Sequence, residues 1–182
     1  MDATAPGFLI AMPSLRDPNF AESVILMLEH TTDGAVGLVI NRPFPGDIAV
    51  VSQGLGISWP KRTLGEIRYG GPVRTQAGCI VHPPNVMFAD SQLLARGIAV
   101  STSRDALDAL VANVECPFRL MLGYAGWGPG QLEREMKEGS WLLAPAADKV
   151  IFEGPVNGMY DKVLATLGVR REELAMATTA IQ

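Results

Sequence analysis

The stretch GFLIAMPSLRDPNFAESVILMLEHTTDGAVGLVINRP, Gly7 to Pro43, decides the fold. Gly7 to Met12 is a short apolar run stopped by Pro13, which reads as a buried strand entering a loop that carries Asp17, Pro18 and Asn19. Val24 to Leu28 and Ala35 to Ile40 are two aliphatic runs flanking Thr31, Thr32, Asp33 and Gly34, where Asp-Gly supplies the positive φ of a tight turn. The spacing predicts a β-hairpin. Neither arm alternates apolar with polar residues, so both faces need cover and the pair belongs at the centre of a sheet. Asn41, Arg42 and Pro43 end it, because proline cannot donate to a strand ladder.

Outward from the hairpin, Asp47 caps a short helix with Ile48, Val51 and Leu55 on one face, stopped by Gly54 and Gly56. Glu66 to Tyr69 alternates polar with apolar before Gly70, Gly71 and Pro72, and Gly78 to Val81 and Gly97 to Ser101 predict two further strands. Ser103 caps a helix whose Leu107, Leu110, Val111 and Val114 form one apolar stripe. Phe118 to Leu122 predicts another strand. Gly123 to Gly130 reads as a glycine- and aromatic-rich loop, with Pro129 at the first helical position of a charged helix, Gln131 to Lys137. Trp141 to Leu143 and Lys149 to Phe152 complete the predicted strands. A last helix starts at Asn157, buries Tyr160, Val163, Leu164 and Leu167 and stops at Gly168, with the tail beyond Arg171 expected to fray. Interleaved strands and helices indicate a mixed α/β fold, and 182 residues fit one domain, 1–182.

Hydrophobic residues make up 48% of the chain and charged residues 19%, which excludes disorder. Apolar runs stop well short of the roughly 18 residues that a spanning helix needs, so no membrane crossing is expected. Asp2 and the lack of a basic residue before Arg16 leave no positive region for a secretory signal, and a cytoplasmic location is expected. A net charge of -4 makes nucleic acid a poor partner. Cys79 and Cys116 fit no C-x-x-C pattern and read as reduced thiols, Cys79 buried in its strand and Cys116, beside Pro117, the more exposed.

The Gly7–Pro43 block resembles, without a gap, the opening block of the AlgH/YqgE family of bacterial proteins. Later blocks agree in order and kind: Gly70 to Val73, His82 after an apolar strand, Gly97 to Ser101, and GYAGWGPGQLE from Gly123 to Glu133. The resemblance covers nearly the whole chain and implies a bifurcated mixed sheet curled into a pseudo-barrel with flanking helices. Two departures stand out: Tyr160 replaces the family's usual tryptophan, and Pro83 and Pro84 stiffen the loop after His82. The family carries a transcriptional-regulator label, but no catalytic or DNA-reading residue comes with it, and fold alone supplies no mechanism.

His30 and His82 are the only histidines and the first candidates for acid–base work; the competing reading is a strand-end ring bonded to a nearby carbonyl. Ligand spacing for a metal is missing, so neither metal nor cofactor is expected. There is no G-x-S-x-G elbow, P-loop or G-x-G-x-x-G. Gly126 to Gly130 precedes a helix and has backbone N–H groups for an anion, but Glu133 and Glu135 already oppose a negative charge there. Trp127, ringed by glycines, reads as an exposed stacking platform or as a cover for the barrel end, whereas Trp141 reads as core.

Asp17, Asn19, Asn41 and Arg42 form a candidate polar cluster, because the segments entering and leaving the hairpin lie side by side; ordinary turn chemistry is the alternative. His30 lies roughly 13 to 20 Å from Asn41 at strand rise, too far to share one small site. The favoured function is a non-catalytic regulatory or adaptor protein that binds an unknown small ligand or protein partner through the cluster or the Trp127 loop. The alternatives are an enzyme using Asp17, His30 or His82 as acid or base, and a DNA-binding regulator. The acidic charge leads to a direct expectation: a mobility-shift assay at physiological salt will show no sequence-selective duplex binding, and sub-micromolar selective binding would refute it.

Overall fold

In the computed structural model, which describes residues 4–180 and the side chains of residues 4–176, the opening stretch forms β1 (Phe8–Ala11), β2 (Val24–Thr31) and β3 (Gly34–Val39). Thr31 pairs with Gly34, so Thr32 and Asp33 make the two-residue turn, and Gly34 opens the returning strand at φ 136°. The register shifts between Met27 and Glu29, a bulge at Leu28. The two faces of this sheet are both apolar for the expected reason. Phe8, Ile10, Val24, Leu26, Leu38 and Ile40 enter one core, while Leu9, Ala11, Ile25, Met27, Ala35 and Val39 enter another.

The remaining strands are β4 (Gly65–Tyr69), β5 (Val73–His82), β6 (Gln92–Ala95), β7 (Ile98–Ser101), β8 (Phe118–Trp127) and β9 (Trp141–Ala144). Eight strands follow the order β6-β7-β5-β8-β3-β2-β1-β9, and β4 branches off to pair with β8. All pairs are antiparallel except β4 with β8. The mixed sheet curls into a half-barrel, and β8 is where it forks. Residues Phe118 to Leu122 run beside β4, whereas Ala125 to Trp127 pair with β3. Gly70 bridges the fork: its N–H donates to Leu122 O at 2.8 Å and its carbonyl accepts from Val39 N at 2.8 Å. The crossing leaves no space for side chains. A Cβ on Gly123, at φ +78°, would lie 2.2 Å from Gly71 O, and a Cβ on Gly71 would lie 2.2 Å from the Tyr124 carbonyl carbon.

Among the described residues six helices flank the sheet: α1 (Ile48–Gly54), α2 (Arg104–Ala112), α3 (Gln131–Lys137), α4 (Asp148–Phe152), α5 (Met159–Thr166) and α6 (Arg171–Ala180). Asp47 and Ser103 cap α1 and α2 by accepting from Ala49 N and Ala106 N. Asp90 accepts from Ser103 Oγ, Thr102 N and Ser103 N, which hold its carboxyl down to about 2 and fasten the loop before β6 to the start of α2. Tyr160, where the resembling family has tryptophan, donates its hydroxyl to Ala11 O at 2.6 Å and so ties α5 to β1. Arg171 bonds Asp161 and Glu22 and lies 5.0 Å above the Tyr160 ring, which fastens α6. No helix among the described residues is long and apolar enough to cross a membrane.

Several local expectations are corrected. Lys149 to Phe152 is helical within α4, its short apolar run Val150 and Ile151 being buried by a helix turn and not by a strand. Gly123 to Trp127 continues β8, because its glycines admit the crossing described above. Pro129 stands outside α3, whose cap is Gly130 at φ +68°. Val114 lies beyond α2 and is exposed. The chain past Arg171 forms α6, with Leu174 buried; residues 181 and 182 of the expected frayed tail lie outside the described residues. Cys116 is buried and Cys79 only half-buried, the reverse of the expected order; burial raises both thiols, Cys79 to about 12, helped by the nearby Asp90 charge.

The fork generates a sharp test. Gly123→Ala combines a positive-φ penalty with overlap on backbone and should cost about 3 kcal/mol or more. Gly54→Ala, with nothing within 4 Å of its Cβ, should be neutral or stabilising by up to about 1 kcal/mol. Chemical denaturation of the two variants compares them, and similar stabilities would show that the crossing tolerates a side chain.

Candidate functional site

The residues singled out in the sequence fall into separate places. Asp17 accepts from Asn19 N at 2.9 Å and Asn19 Nδ2 at 3.0 Å, a local turn motif on an exposed loop. Asn41 accepts from Val24 N and donates to Glu22 O, both at 2.8 Å, and Arg42 Nη2 donates to Ala21 O at 2.9 Å. Asn41 and Arg42 therefore grip the backbone of the Asp17–Glu22 loop, where Glu22 holds φ 55°, an unfavourable conformation for a residue with a side chain. Their hydrogen bonds are those of turn chemistry.

Trp127 is not an exposed platform. Only 6% of it is accessible, because Phe20 stacks on it at 6.2 Å and Trp141 meets it edge-on at 5.8 Å. The side chains that bury it come from β9 and the Asp17–Glu22 loop, far away in sequence, so the glycines around it could not reveal them. Glu135 Oε2 accepts the indole N–H of both tryptophans, at 3.0 and 2.8 Å. This gives each buried indole the partner it needs.

Both histidines are committed on both ring nitrogens. Thr4 N–H donates to His30 Nδ1 at 3.3 Å, with Thr4 Oγ1 at 3.0 Å, so the neutral ring carries its proton on Nε2, 3.3 Å from Glu133 Oε1. His82 is fully buried. Pro83 O can only accept, which places the neutral ring's proton on Nδ1 at 3.0 Å; Nε2 then accepts from Ser101 Oγ at 2.9 Å. Ser101 in turn meets Ser91 Oγ at 2.8 Å, which accepts from Phe88 N at 2.7 Å. This chain joins β5, β7 and the loop between β5 and β6.

The arrangement most suited to a ligand lies elsewhere, in a cleft of about 650 Å³. Its sides come from four separated segments: Thr63 to Glu66, Pro83 to Asn85, Pro117 with Arg119, and Asp148 with Phe152 to Gly154. The β6–β7 turn closes one end, with Gly97 so near the Asp148 carboxylate that a Cβ would lie 2.4 Å from Oδ2. Arg119, 3% exposed, forms the floor. Its guanidinium donates to Ile151 O, Leu64 O, Phe118 O and Phe152 O at 2.9 to 3.2 Å and lies 5.7 Å from the Phe152 ring centre. Burial, and then the charge of Arg68, push its pKa down to about 10 against the opposing pull of Glu66, so it stays a cation at neutral pH.

Arg68 is 1% exposed. It donates from Nε to Glu66 Oε2 at 2.8 Å and from Nη1 to Ile40 O at 2.9 Å. Its Nη2 lies 2.6 Å from the same Glu66 oxygen yet makes no hydrogen bond, so this is a charge contact of oblique geometry. Glu66 Oε2 also stands 3.6 Å from Arg119 Nε. None of these three residues was a candidate from sequence. The signal present was an arginine interrupting an apolar strand, Phe118-Arg119-Leu120-Met121, which a buried core tolerates only when the charge is paired.

A model of the AlgH-like family matches residues 8–172. A UPF0301 protein of Methylococcus capsulatus is 42% identical over 89% of this chain and 88% of its own length, and one of Photobacterium profundum is 39% identical over 93% and 94%. The solution structure of the AlgH protein from Pseudomonas aeruginosa superimposes with a TM-score of 0.77 at 38% identity, covering 96% of this chain and 94% of that one. A Corynebacterium diphtheriae crystal structure shares the fold at a TM-score of 0.72 and 24% identity, covering 89% and 86%.

The burial of both tryptophans predicts comparable losses. Trp127→Ala and Trp141→Ala should each cost about 3 to 5 kcal/mol in chemical denaturation, the range for emptied aromatic core sites. A loss near 1 kcal/mol at Trp127 alone would restore the exposed platform.

Proposed function

The chain belongs to the AlgH-like family, and from that premise we propose that it is a non-catalytic regulatory or adaptor protein of the cytoplasm that binds a small ligand in the Arg119 cleft. The carrying observation is the cleft itself, because about 650 Å³ falls within the range of roughly 300 to 1,000 Å³ typical of small-molecule sites. Four chain segments meet there around a buried cation. Its lining sets a guanidinium held by backbone carbonyls beside the carboxylates of Glu66, Asp148 and Glu153, charged groups that can recognise a polar ligand. Recognition there suits regulation, since Arg119 belongs to β8, the strand shared by both arms of the sheet. The transcriptional-regulator label of the resembling family is then served indirectly, through ligand state or a protein partner, without contact to DNA.

The test is a soluble-fragment screen followed by amide NMR on the full chain, with native mass spectrometry of freshly purified protein for a retained ligand. Bound compounds should shift the amides of Glu66, Asn85, Arg119 and Gly154. Asn85→Trp, which puts a ring into the cleft from an exposed position, should weaken them at least tenfold with an unchanged melting temperature. Shifts confined to other surfaces, or affinities untouched by Asn85→Trp, would reject this reading.

A further inference from the structure

Resting on the cleft as a ligand site, we propose that it recognises a compact zwitterion, a carboxylate beside an ammonium group as in an α-amino acid. A guanidinium has five N–H donors. Arg119 gives one from Nε to Ile151 O, two from Nη1 to Leu64 O and Phe118 O, and one from Nη2 to Phe152 O, which leaves a second Nη2–H without an acceptor among the described residues. That donor belongs to a side chain 3% exposed on the cleft floor. A buried charged group with an uncommitted donor calls for an acceptor, and a carboxylate makes the strongest such bond.

The matching acceptor stands beside it. Every contact of Glu66 with Arg68 and Arg119 uses Oε2, so Oε1 has no partner among the described residues, on a side chain 45% exposed that lines the cleft. Glu66 Oε2 and Arg119 Nε are 3.6 Å apart, so the open donor and the open acceptor sit on neighbouring groups.

Charge selects between ligand types. Arg119 in the floor and Arg68 behind it share the Glu66 carboxylate, which leaves that group of three net positive and unfavourable to a lone cation beside Arg119. Asp148 and Glu153 make the rest of the lining negative and unfavourable to a lone anion. A ligand whose opposite charges lie a few ångströms apart satisfies both, its carboxylate toward Arg119 and its ammonium toward Glu66 Oε1. The cleft is larger than these two groups and leaves space for a side chain.

The experiment titrates the wild-type chain with the twenty L-amino acids by amide NMR and calorimetry, then repeats each binder with its deaminated acid and its decarboxylated amine. At least one amino acid should shift Glu66, Arg119 and Gly154, and both single-charge analogues should bind at least tenfold more weakly. Glu66→Gln, nearly isosteric, should weaken the amino acid at least tenfold while the deaminated acid binds at least as tightly as to the wild type. An acid or amine that binds as well as its parent overturns the proposal, as does unchanged amino-acid affinity in Glu66→Gln. If no amino acid binds while uncharged fragments still fill the cleft, the zwitterion is wrong and the ligand site stands. If no compound of any kind reaches the cleft, the ligand site falls as well.

Discussion

Three glycines at one crossing govern the architecture. Where Gly70 and Gly71 pass Gly123, backbone lies against backbone at distances that no Cβ permits, and Gly70 hydrogen-bonds both β8 and β3. That contact lets β8 change neighbours midway, from β4 to β3, while its ladder to β5 shifts register at the same place, between Val73 and Gly78. One strand thereby faces all three hydrophobic cores, through Met121 in the first, Ala125 and Trp127 in the second, and Phe118 and Leu120 in the third. The split also creates the cleft, since β4 diverges from the hairpin sheet and its approach at Thr63 and Leu64 faces α4 across Arg119.

A fork brings together segments that have no ladder between them, and buried polar side chains supply the missing bonds. Arg119 holds the carbonyls of Leu64, Ile151 and Phe152, Arg68 holds Ile40, and Glu135 holds two indoles. The Arg–Glu–Arg group joins two buried guanidinium groups to a carboxylate 45% exposed, so solvent screens it and it contributes well below a fully buried ion pair. His82 belongs to the same class, its ring joining β7 to the Pro83 carbonyl.

Legibility from sequence followed the range of the interaction. The Val24–Ile40 hairpin, the Asp47 and Ser103 caps and the Gly168 stop are written in adjacent residues, and they stand in the structure. The family resemblance supplied the bifurcated sheet, which periodicity alone does not encode. Trp127 misled because glycine neighbours describe only the local chain, while the rings that cover it arrive from Phe20 and Trp141. Lys149 to Phe152 misled because a short apolar run has the same appearance in a strand and in a helix turn. Glu66 and Arg119 were invisible as neighbours, being 53 positions apart, and only the parallel pairing of Glu66 with Arg119 places them side by side.

That pairing explains why the cleft has its chemistry where it does. In a parallel ladder, directly paired residues point to the same face, so Glu66 and Arg119 necessarily emerge together. Arg68, two residues along the same strand, returns to that face and shares the carboxylate. Once Phe118 begins β8 opposite Gly65, the charged pair lies at the open end of the fork, beyond the glycine crossing. The opposite wall is held independently, because His82 fixes the Pro83 carbonyl from inside β5 while the cleft takes Pro83, Pro84 and Asn85 as its surface. Two prolines in succession restrict that wall further, since each fixes its own φ and limits the residue before it. The cleft is thus preorganised on both sides: a charged floor set by strand register and a stiff wall set by a buried imidazole.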